Sequence, residues 1–383
     1  MERHKYLCRV WRFFYKLLRP FLEHYFNLQH DNISIDGPCI IISNHVTGWD
    51  PLLLAMSFPK NKIYFISSEH IFRWGLISKI IINLMAPIPR KKASLGTDTV
   101  IMSLRHLKAG HTIGLFAEGN SSWNGLSEDV FPATGKFVRS SRATLVTYRI
   151  EGGYLSAPRW GRGVRRGKIY EHPVNIYTPE QLRNMTADEI TRHINQDIYE
   201  NAWGRQKTEH TKYKGRNPAR YIERVLFMCP KCRKIDTLKG AGNMVRCSCG
   251  YETKYSELCT FEPPKPFENI AQWDEWQLRS LKRGEFVHGS EFFSNDNMRL
   301  VEIKAGHGED KIAEGKLSIT TKNLSIEKEV FLLSDISMMS LVQGGKLLFS
   351  CGDRYFEIQA ENPSCLRKYM AVWENYKEKL KGA

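Results

Sequence analysis

The chain has 383 residues and a formal net charge of +15, which exclude a single small domain and favour anionic partners. The charge alone does not choose among lipid head groups, nucleic acid, and phosphorylated or thioester-carrying substrates. Nine cysteines, with no cleavable signal sequence, argue against a secreted disulfide scaffold and predict a reducing compartment with a metal site. We expect two or three domains from this length. Because no run of about 18 apolar residues occurs, we also expect that the chain does not cross a bilayer.

Residues 1–28 predict an amphipathic helix with two opposite faces. The basic stripe holds Lys5, Arg9, Arg12, Lys16 and Arg19, and the apolar face holds Leu7, Val10, Trp11, Phe14, Leu18 and Phe21. This pattern is typical of a helix that lies in the plane of an anionic membrane. The alternative is a helix docked on its own domain with a solvated basic face. We expect Pro20 to kink or end its first stretch.

Residues 29–210 alternate strand-like apolar runs with helical patterns, which predicts an α/β domain with a mostly parallel sheet. The strands are "GPCIIISNH", "KIYFISSEH", "HTIGLFAEGN" and "ATLVTYRIEGG". Helices are expected to begin at Pro51 and to run over about 75–85 and 97–108. A last helix, "TADEITRHINQDIYENAW", starts with a capping box at Thr186 and Glu189. The polar, basic segment "GRQKTEHTKYKGRNPAR" that follows predicts a linker or surface loop.

His45 and Asp50 stand between the first strand and its helix, in "IISNHVTGWDPLLL". A histidine at the carboxyl end of a buried parallel strand lies where ligands collect, and its imidazole can take a proton from an attacking hydroxyl. Asp50 is placed to hold the other ring nitrogen. The alternative is that Asp50-Pro51 is only a helix cap. The spacing alone leaves both interpretations open.

Three motifs in chain order resemble the glycerolipid acyltransferase family, the lysophosphatidic acid acyltransferases and their relatives. "NHVTGWDP" is similar to the first motif, in which Asn-His, four residues and Asp form the active site. "LMAPIPRKK" is similar to the second, which ends in a cation that holds the acceptor's phosphate. "LFAEGNSSW" is similar to the third. The resemblance implies that His45 and Asp50 are catalytic and that Asn44, Arg90, Glu118 and Gly119 bind substrate.

Two departures from the family pattern concern the acceptor. Asn120-Ser121 stands where the third motif usually has Thr-Arg, so one expected phosphate-binding cation is missing, and Lys136, Arg139 or Arg149 are candidates to replace it. Thr147-Tyr148 stands where the fourth motif carries proline. Acyltransferase chemistry is compatible with both changes, whereas the identity of the acceptor is not fixed by the resemblance.

Cys229, Cys232, Cys247 and Cys249 form a CxxC and a CxC separated by fourteen residues, within a predicted zinc ribbon at 225–258. Two such cysteine pairs suit one tetrahedral Zn²⁺, and four cysteine ligands predict a structural site. A redox dithiol or an iron site of rubredoxin type are the alternatives. The basic residues of the ribbon do not interleave with aromatic residues as in single-strand binding proteins, so no nucleic acid partner is expected.

Residues 284–383 show period-2 strands followed by an amphipathic helix, which predicts an antiparallel β domain capped by a helix. The order of elements resembles a pleckstrin-homology-like domain. We expect Leu366, Tyr369, Met370, Trp373 and Tyr376 to pack on one end of the sheet.

Taken together, the patterns predict a peripheral membrane enzyme on the cytoplasmic side that acylates a lysophospholipid, with 1-acylglycerol-3-phosphate as the first acceptor. Acyl-CoA or acyl-ACP, the acylated acyl carrier protein, would be the donor, and an anionic membrane surface would be the partner of the N-terminal helix. The alternative is a non-enzymatic lipid-binding or scaffold protein.

Overall fold

The computed structural model describes residues 2–68, 82–90, 96–285, 291–304, 308–342, 345–360 and 365–382. The chain divides into two compact units, one of residues 1–159 and 163–215 and one of residues 160–162 and 216–383. In the described part of the chain, no helix combines the length and hydrophobicity that a bilayer crossing requires. The helix predicted over 75–85 lies largely outside the described residues.

One seven-stranded sheet forms the centre of the first unit. Its strands are β1 (Leu28–His30), β2 (Cys39–Ser43), β3 (Ile63–Ser68), β4 (Ile88–Arg90), β5 (Thr112–Leu115), β6 (Thr144–Glu151) and β7 (Ile169–Tyr177). They lie in the order β1-β7-β6-β2-β5-β3-β4, and every neighbouring pair is parallel except β6 and β7. β2 is buried along its whole length, as a central strand covered on both faces should be. The predicted mostly parallel α/β sheet is confirmed.

Helices cover this sheet and connect its strands. They are α1 (Glu2–Phe26), α2 (Asp50–Met56), α3 (Thr97–Lys108), α4 (Ala133–Ser141), α5 (Gly153–Ser156), α6 (Pro179–Arg183), α7 (Ala187–Ile198) and α8 (Ala202–Glu209). On α7 the apolar residues Ile190, Ile194 and Ile198 recur every fourth position and pack in the core with Ile40 of β2. The capping box of Thr186 at the start of α7 forms as predicted.

Two predictions for the segment after residue 186 are wrong. The helix expected over 186–203 is interrupted, because Tyr199 turns to an extended conformation and Asn201 starts a new helix by accepting hydrogen bonds from the first N–H groups of α8. An asparagine competes in this way with helix continuation. The expected linker from Gly204 therefore begins as helix α8, and Tyr213 beyond it is buried.

Helix α1 continues through Pro20 to Phe26, so the proline does not end it, and a kink at this position stays a prediction. The proline removes the hydrogen bond to the carbonyl of Lys16, and because this part of the helix is exposed, water can replace it.

The faces of α1 also differ from the prediction. Its docked face consists of Leu7, Trp11, Tyr15, Leu22 and Phe26. The Tyr15 hydroxyl donates to the carbonyl oxygen of Met56 at 3.1 Å, and Phe26 packs edge-on against Trp49. The alternative interpretation, in which the helix docks on its own domain, is therefore correct for Leu7 and Trp11, which were predicted to belong to the apolar face.

A second apolar face of α1, which we call the exposed α1 stripe, points away from the unit. Its members are Tyr6, Phe13, Leu17 and Phe21, each more than half exposed. The basic side chains Lys5, Arg9, Arg12 and Lys16 are exposed as well. At 100° per residue this basic row lies beside the exposed α1 stripe, so the helix has a docked face, a cationic face and an exposed apolar face.

The second unit contains two antiparallel sheets. The first has β8 (Leu238–Ala241), β9 (Met244–Cys247), β10 (Glu252–Tyr255) and β11 (Phe261–Glu262), and is followed by α9 (Ile270–Lys282). The second has β12 (Glu291–Ile303), β13 (Glu309–Thr320), β14 (Asn323–Ile326), β15 (Glu329–Leu332), β16 (Ile336–Val342), β17 (Lys346–Cys351) and β18 (Arg354–Ala360), in the order β15-β14-β13-β12-β18-β17-β16. The predicted antiparallel character is confirmed.

Helix α10 (Arg367–Gly382) ends the described chain and packs on this second sheet. The Tyr369 hydroxyl donates to the side-chain oxygen of Asn295 at 2.8 Å, and the Trp373 indole donates to the carbonyl oxygen of Ile336 at 3.2 Å. Two ion pairs, a buried one of Arg367 with Asp274 and a partly exposed one of Lys368 with Asp236, attach the same helix to the segments before the sheet.

Candidate active site

His45 lies just beyond the carboxyl end of β2, between β5 and β6 in the sheet. Its Nδ1 is 2.6 Å from Oδ2 of Asp50, and its ring stacks on Phe116 with the centroids 4.8 Å apart. The side chain of His45 is 26% exposed, whereas that of Asp50 is fully buried. The structure thus brings together the two residues predicted to be catalytic. Because Nδ1 is held by Asp50, Nε2 is the nitrogen that can exchange a proton with a substrate.

The carboxylate of Asp50 is bound by the loop that carries His45. It accepts hydrogen bonds from the backbone N–H groups of Val46 and Thr47, at 2.7 and 3.0 Å, and from the Thr47 hydroxyl at 2.7 Å. A carboxylate can only accept, so the proton between the two side chains is on Nδ1 of His45. Helix α2 begins at Asp50, but its N-cap is Trp49, without a side-chain cap. The interpretation of Asp50 as only a helix cap is wrong, since its side chain turns back toward the loop.

Glu118, which follows β5, supports the backbone of the same loop. Its side chain is buried, Oε1 accepts the backbone N–H of His45 at 2.8 Å, and Oε2 accepts that of Glu128 at 2.9 Å. Burial raises the pKa of Glu118 to about 8, although the two N–H donors favour the ionised form. Both oxygens accept a backbone N–H, so Glu118 holds the backbone of His45 in place, and its contact with substrate stays a prediction.

Asn44, a predicted substrate-binding residue, bonds to the backbone of a neighbouring strand, and its contact with substrate stays a prediction. It is fully buried, its side-chain N–H donates to the carbonyl oxygen of Ile150 at 2.9 Å, and its side-chain oxygen accepts the N–H of Ile150 at 2.7 Å. These two bonds tie the end of β2 to β6. Asn44 therefore fixes the strand end from which His45 projects.

Gly119 and Arg90 meet at Phe131. Gly119 has φ +82°, and a Cβ atom there would lie 2.5 Å from the ring of Phe131, so the position requires glycine. The guanidinium of Arg90, at the end of β4, lies 4.9 Å from the centroid of the same ring. Burial lowers the pKa of Arg90. The structure places this predicted phosphate-binding cation beside the Glu118-Gly119 motif.

Of the three cations considered as replacements for the missing arginine, two are exposed and one is hydrogen-bonded to the backbone. Lys136 and Arg139 are exposed on α4. The guanidinium of Arg149 donates twice to the carbonyl oxygen of Asp197, at 2.9 and 2.6 Å.

The four predicted cysteine ligands form one cluster in the second unit. The sulfur atoms of Cys229, Cys232, Cys247 and Cys249 all lie within 4.8 Å of one another, with 3.7 Å between Cys229 and Cys249 and 3.8 Å between Cys232 and Cys247. Four sulfurs at 2.3 Å from a tetrahedral ion would be about 3.8 Å apart. The cluster fits a single tetrahedral metal ion.

A family model and two solved structures are similar to parts of this chain. A family model described as Acyltransferase matches residues 26–155, a span that contains all three motifs. Among solved structures, the chain is similar to the 1-acyl-sn-glycerophosphate (LPA) acyltransferase PlsC from Thermotoga maritima, with 18% identity and a TM-score of 0.43 over 54% of this chain and 80% of that one. It is also similar to the N-terminal PH domain of human ARAP2, with 14% identity and a TM-score of 0.19 over 23% of this chain and 80% of that one. The match to the Acyltransferase family model therefore lies in the part of the chain where the three ordered motifs predict it.

Proposed function

We propose that the protein is an O-acyltransferase that moves a fatty acyl group from an acyl thioester to a hydroxyl of a lysoglycerophospholipid, in phospholipid synthesis or remodelling. The observation that carries the proposal is the 2.6 Å contact between Nδ1 of His45 and the buried carboxylate of Asp50, at the carboxyl end of the central strand. The first acceptor to test is 1-acylglycerol-3-phosphate, and the donor is acyl-CoA or acyl-ACP.

In this reaction His45 acts as general base and then as general acid. Its Nε2 takes the proton of the acceptor hydroxyl while the hydroxyl oxygen attacks the thioester carbonyl carbon, and Asp50 stabilises the imidazolium that forms. When the tetrahedral intermediate collapses, the carbon–sulfur bond breaks and the imidazolium returns the proton to the departing thiolate. The products are the new ester and the free thiol, with no acyl group attached to the protein.

The charges near the dyad suit anionic substrates. Arg90 offers a planar set of donors that can take a phosphate bidentately, and its guanidinium lies over the ring of Phe131. The formal net charge of +15 also favours association with a phosphate-rich acyl carrier.

A lipid acceptor reaches the enzyme from a membrane, and α1 is the element suited to contact one. The exposed α1 stripe can enter the boundary between head groups and acyl chains, while the neighbouring basic row faces anionic lipids. We therefore propose peripheral attachment through α1 on the cytoplasmic side.

For the cysteine cluster we propose one structural Zn²⁺. Four thiolates complete a tetrahedral shell and leave no coordination position for a substrate, and such sites stabilise small folds with little core of their own.

An acceptor panel tests the enzymatic proposal. Purified protein, acyl-CoA and acyl-ACP are combined with 1-acylglycerol-3-phosphate, glycerol-3-phosphate, other lysophospholipids and an amine acceptor, and thiol release is followed. We expect His45→Ala to lower the rate by about 10²- to 10⁴-fold. The matched control is His210→Asn, at an exposed histidine with φ 49°, where asparagine is tolerated. If wild type and His45→Ala are equally inert while both bind liposomes, the protein is a lipid-binding or scaffold protein instead.

A further inference from the structure

Three histidines meet where the first turns of α1 dock on the domain, and we call them the histidine cluster. His4 lies in α1, His106 in α3 and His111 directly before β5. The rings of His4 and His111 stack with their centroids 4.0 Å apart, and Nδ1 of His106 lies 3.1 Å from Nδ1 of His111. All three side chains are partly buried, and the proposed reaction uses none of them.

Contacts of the histidine cluster attach α1 to β3. The Tyr64 hydroxyl and Nδ1 of His4 are 2.8 Å apart, and the ring centroid of His106 lies 4.4 Å from that of Tyr64. The ammonium of Lys62 lies 5.1 Å from the ring centroid of Tyr64 and 5.7 Å from that of Trp11, further along α1. The first half of α1, residues 2–13, is therefore held by neutral rings and by a cation.

The contacts within the histidine cluster require neutral rings. The 3.1 Å contact between His106 and His111 needs one Nδ1 to accept a hydrogen bond, and a protonated imidazole can only donate. Protonation of both stacked rings would place two positive charges 4.0 Å apart. In the described part of the chain, none of the hydrogen bonds of these histidines goes to a carboxylate that could compensate the added charge.

The charged groups that act on this interface from α1 and from the start of β3 are cations, namely Arg3, Arg12 and Lys62. The other titrating groups are the thiol of Cys8, 3.4 Å from Nε2 of His4, and the hydroxyl of Tyr64. Both stay neutral, because burial raises the pKa of the thiol and raises that of Tyr64 to about 12. Protonation of the histidine cluster thus adds positive charge to a partly buried region that already repels it.

The pKa values of the three imidazoles follow from this setting. Burial, and next the charges of Lys62 and the amino terminus, lower the pKa of His4. Burial, and next His4 and Lys62, lower the pKa of His106. Burial, and next His4 and His106, lower the pKa of His111 from 6.5 to about 4. Between these two pH values a released helix binds more protons than the docked one, so docking is strongest above pH 6.5 and weakens as the pH falls toward 4.

We propose that the histidine cluster is an acid-sensitive latch, which holds the first half of α1 on the domain and releases it when the rings take up protons. Release frees the docked side chains of Leu7 and Trp11 and adds positive charge beside them.

The latch has a consequence for the membrane attachment proposed above, on which this step rests. A released first half of α1 presents additional apolar side chains and more positive charge to anionic lipids. A surface potential of about −30 mV also raises the proton concentration at an anionic membrane about threefold. The membrane surface itself therefore promotes release of the latch.

Hydrogen exchange of the full chain tests the latch, measured by mass spectrometry at pH 7, 6 and 5 and corrected for the intrinsic exchange rate at each pH. In wild type, the protection of peptides from residues 2–13 should fall by about tenfold or more between pH 7 and pH 5, while peptides from α7 keep theirs. His106→Gln combined with His111→Phe keeps an aromatic ring stacked on His4 and removes two titrating groups. The protection of residues 2–13 in this double variant should change by less than about threefold.

Two single variants complete the design. His111→Phe alone should already reduce the pH response, so a folding defect of the double variant leaves the test intact. His24→Gln, at an exposed histidine of α1 outside the cluster, should keep the wild-type response. The inference is overturned by wild-type protection that stays constant down to pH 5, or by an equal fall in wild type, His111→Phe and the double variant.

Flotation with vesicles of phosphatidylglycerol and phosphatidylcholine at pH 7 and pH 5.5 separates the latch from the proposed function. Binding should increase more at the lower pH for wild type than for the double variant. If protection responds as expected but neither protein binds vesicles, the latch stands and the proposed attachment through α1 fails. If both proteins bind equally at both pH values and their protection is the same, the attachment stands and the latch fails.

Discussion

Asp50 binds both the ring of His45 and the backbone of the loop from which that ring projects. One carboxylate oxygen accepts from Nδ1 of His45 at 2.6 Å and from the N–H of Val46 at 2.7 Å. The orientation of the imidazole and the shape of its loop are consequently set by the same buried group. Replacing Asp50 should affect catalysis and folding together.

Asp50→Asn should lower kcat by about a hundredfold or more, because the amide no longer stabilises the imidazolium. It should also reduce the free energy of unfolding by about 2–3 kcal/mol, since one acceptor of several hydrogen bonds becomes a donor. Thiol release and thermal unfolding measure the two effects. Asp197→Asn is the matched control, because Asp197 accepts the buried hydroxyls of Thr147 and Tyr177 away from the dyad. It should lower stability and preserve kcat per folded molecule; an equal loss of kcat would count against the catalytic role.

Glu118 should make folding stability depend on pH between about 4.5 and 8. Burial raises its pKa to about 8 from the ordinary value of 4.5, so in this window the folded protein keeps a proton that the unfolded chain has lost. The stability contributed by that proton is complete below pH 4.5 and is lost as pH rises toward 8.

Thermal unfolding of wild type and Glu118→Gln at pH 5 and pH 8 checks this direction. The decrease in Tm from pH 5 to pH 8 should be smaller in the variant, which has no proton to release, than in wild type. Glu180→Gln, at an exposed glutamate of α6, should keep the wild-type pH response. An identical pH response in Glu118→Gln and wild type would contradict the raised pKa.

The exposed α1 stripe should control membrane binding without contributing to folding. Replacing Phe13, Leu17 and Phe21 together by glutamine should weaken binding to anionic liposomes by about tenfold or more, because each apolar side chain loses favourable transfer into lipid. Tm should stay at the wild-type value, as these side chains are exposed. Flotation with anionic vesicles and thermal unfolding measure the two quantities.

Trp11→Ala is the comparison variant. It should affect folding and not membrane binding, because Trp11 lies on the docked face. The cavity left by this substitution should reduce the free energy of unfolding by about 3–5 kcal/mol, and Tm should fall as a result. Unchanged liposome binding after the triple substitution would refute attachment through this face. Removing the whole helix is the less informative experiment, because it would also expose the surface on which α1 docks.

The cysteine cluster should contain about one Zn²⁺ per chain. Cys229→Ser combined with Cys247→Ser should abolish metal binding and lower the stability of the second unit, because metal binding and folding are coupled at such sites. Elemental analysis and thermal unfolding with and without a chelator measure this. Cys351→Ser, outside the cluster, should retain the metal. A fully folded, metal-free wild-type protein would exclude the proposal.

The sequence predicted those features of the fold and of the candidate site that depend on a local pattern of residues. The apolar residues 39–42 shortly before His45 predicted a buried strand and the position of the dyad, and the spacing of Cys229, Cys232, Cys247 and Cys249 predicted their cluster. In these cases the interacting residues are either close in the chain or share a fixed motif.

Long-range pairings to backbone atoms were not predictable. Asn44 and Glu118 occupy motif positions for which the resemblance implied contact with substrate. The resemblance did not indicate that Asn44 binds the backbone of Ile150, 106 residues away, or that Glu118 binds that of His45, 73 residues away. Every residue has these backbone groups, so no side-chain pattern marks the partner. Helix α1 shows another limit, since periodicity identified apolar faces but not which one the domain covers.

The docking of α1 also has a geometric consequence for the reaction. Phe26 near its end packs on Trp49, the residue before Asp50, and Tyr15 in its middle bonds to the last residue of α2. Helix α1 and the dyad belong to the same unit, so the proposed attachment to a membrane through α1 would set the height and tilt of Nε2 of His45. For the proposed acyltransferase, we expect selection among lipids by how far the reacting hydroxyl stands above the acyl chains.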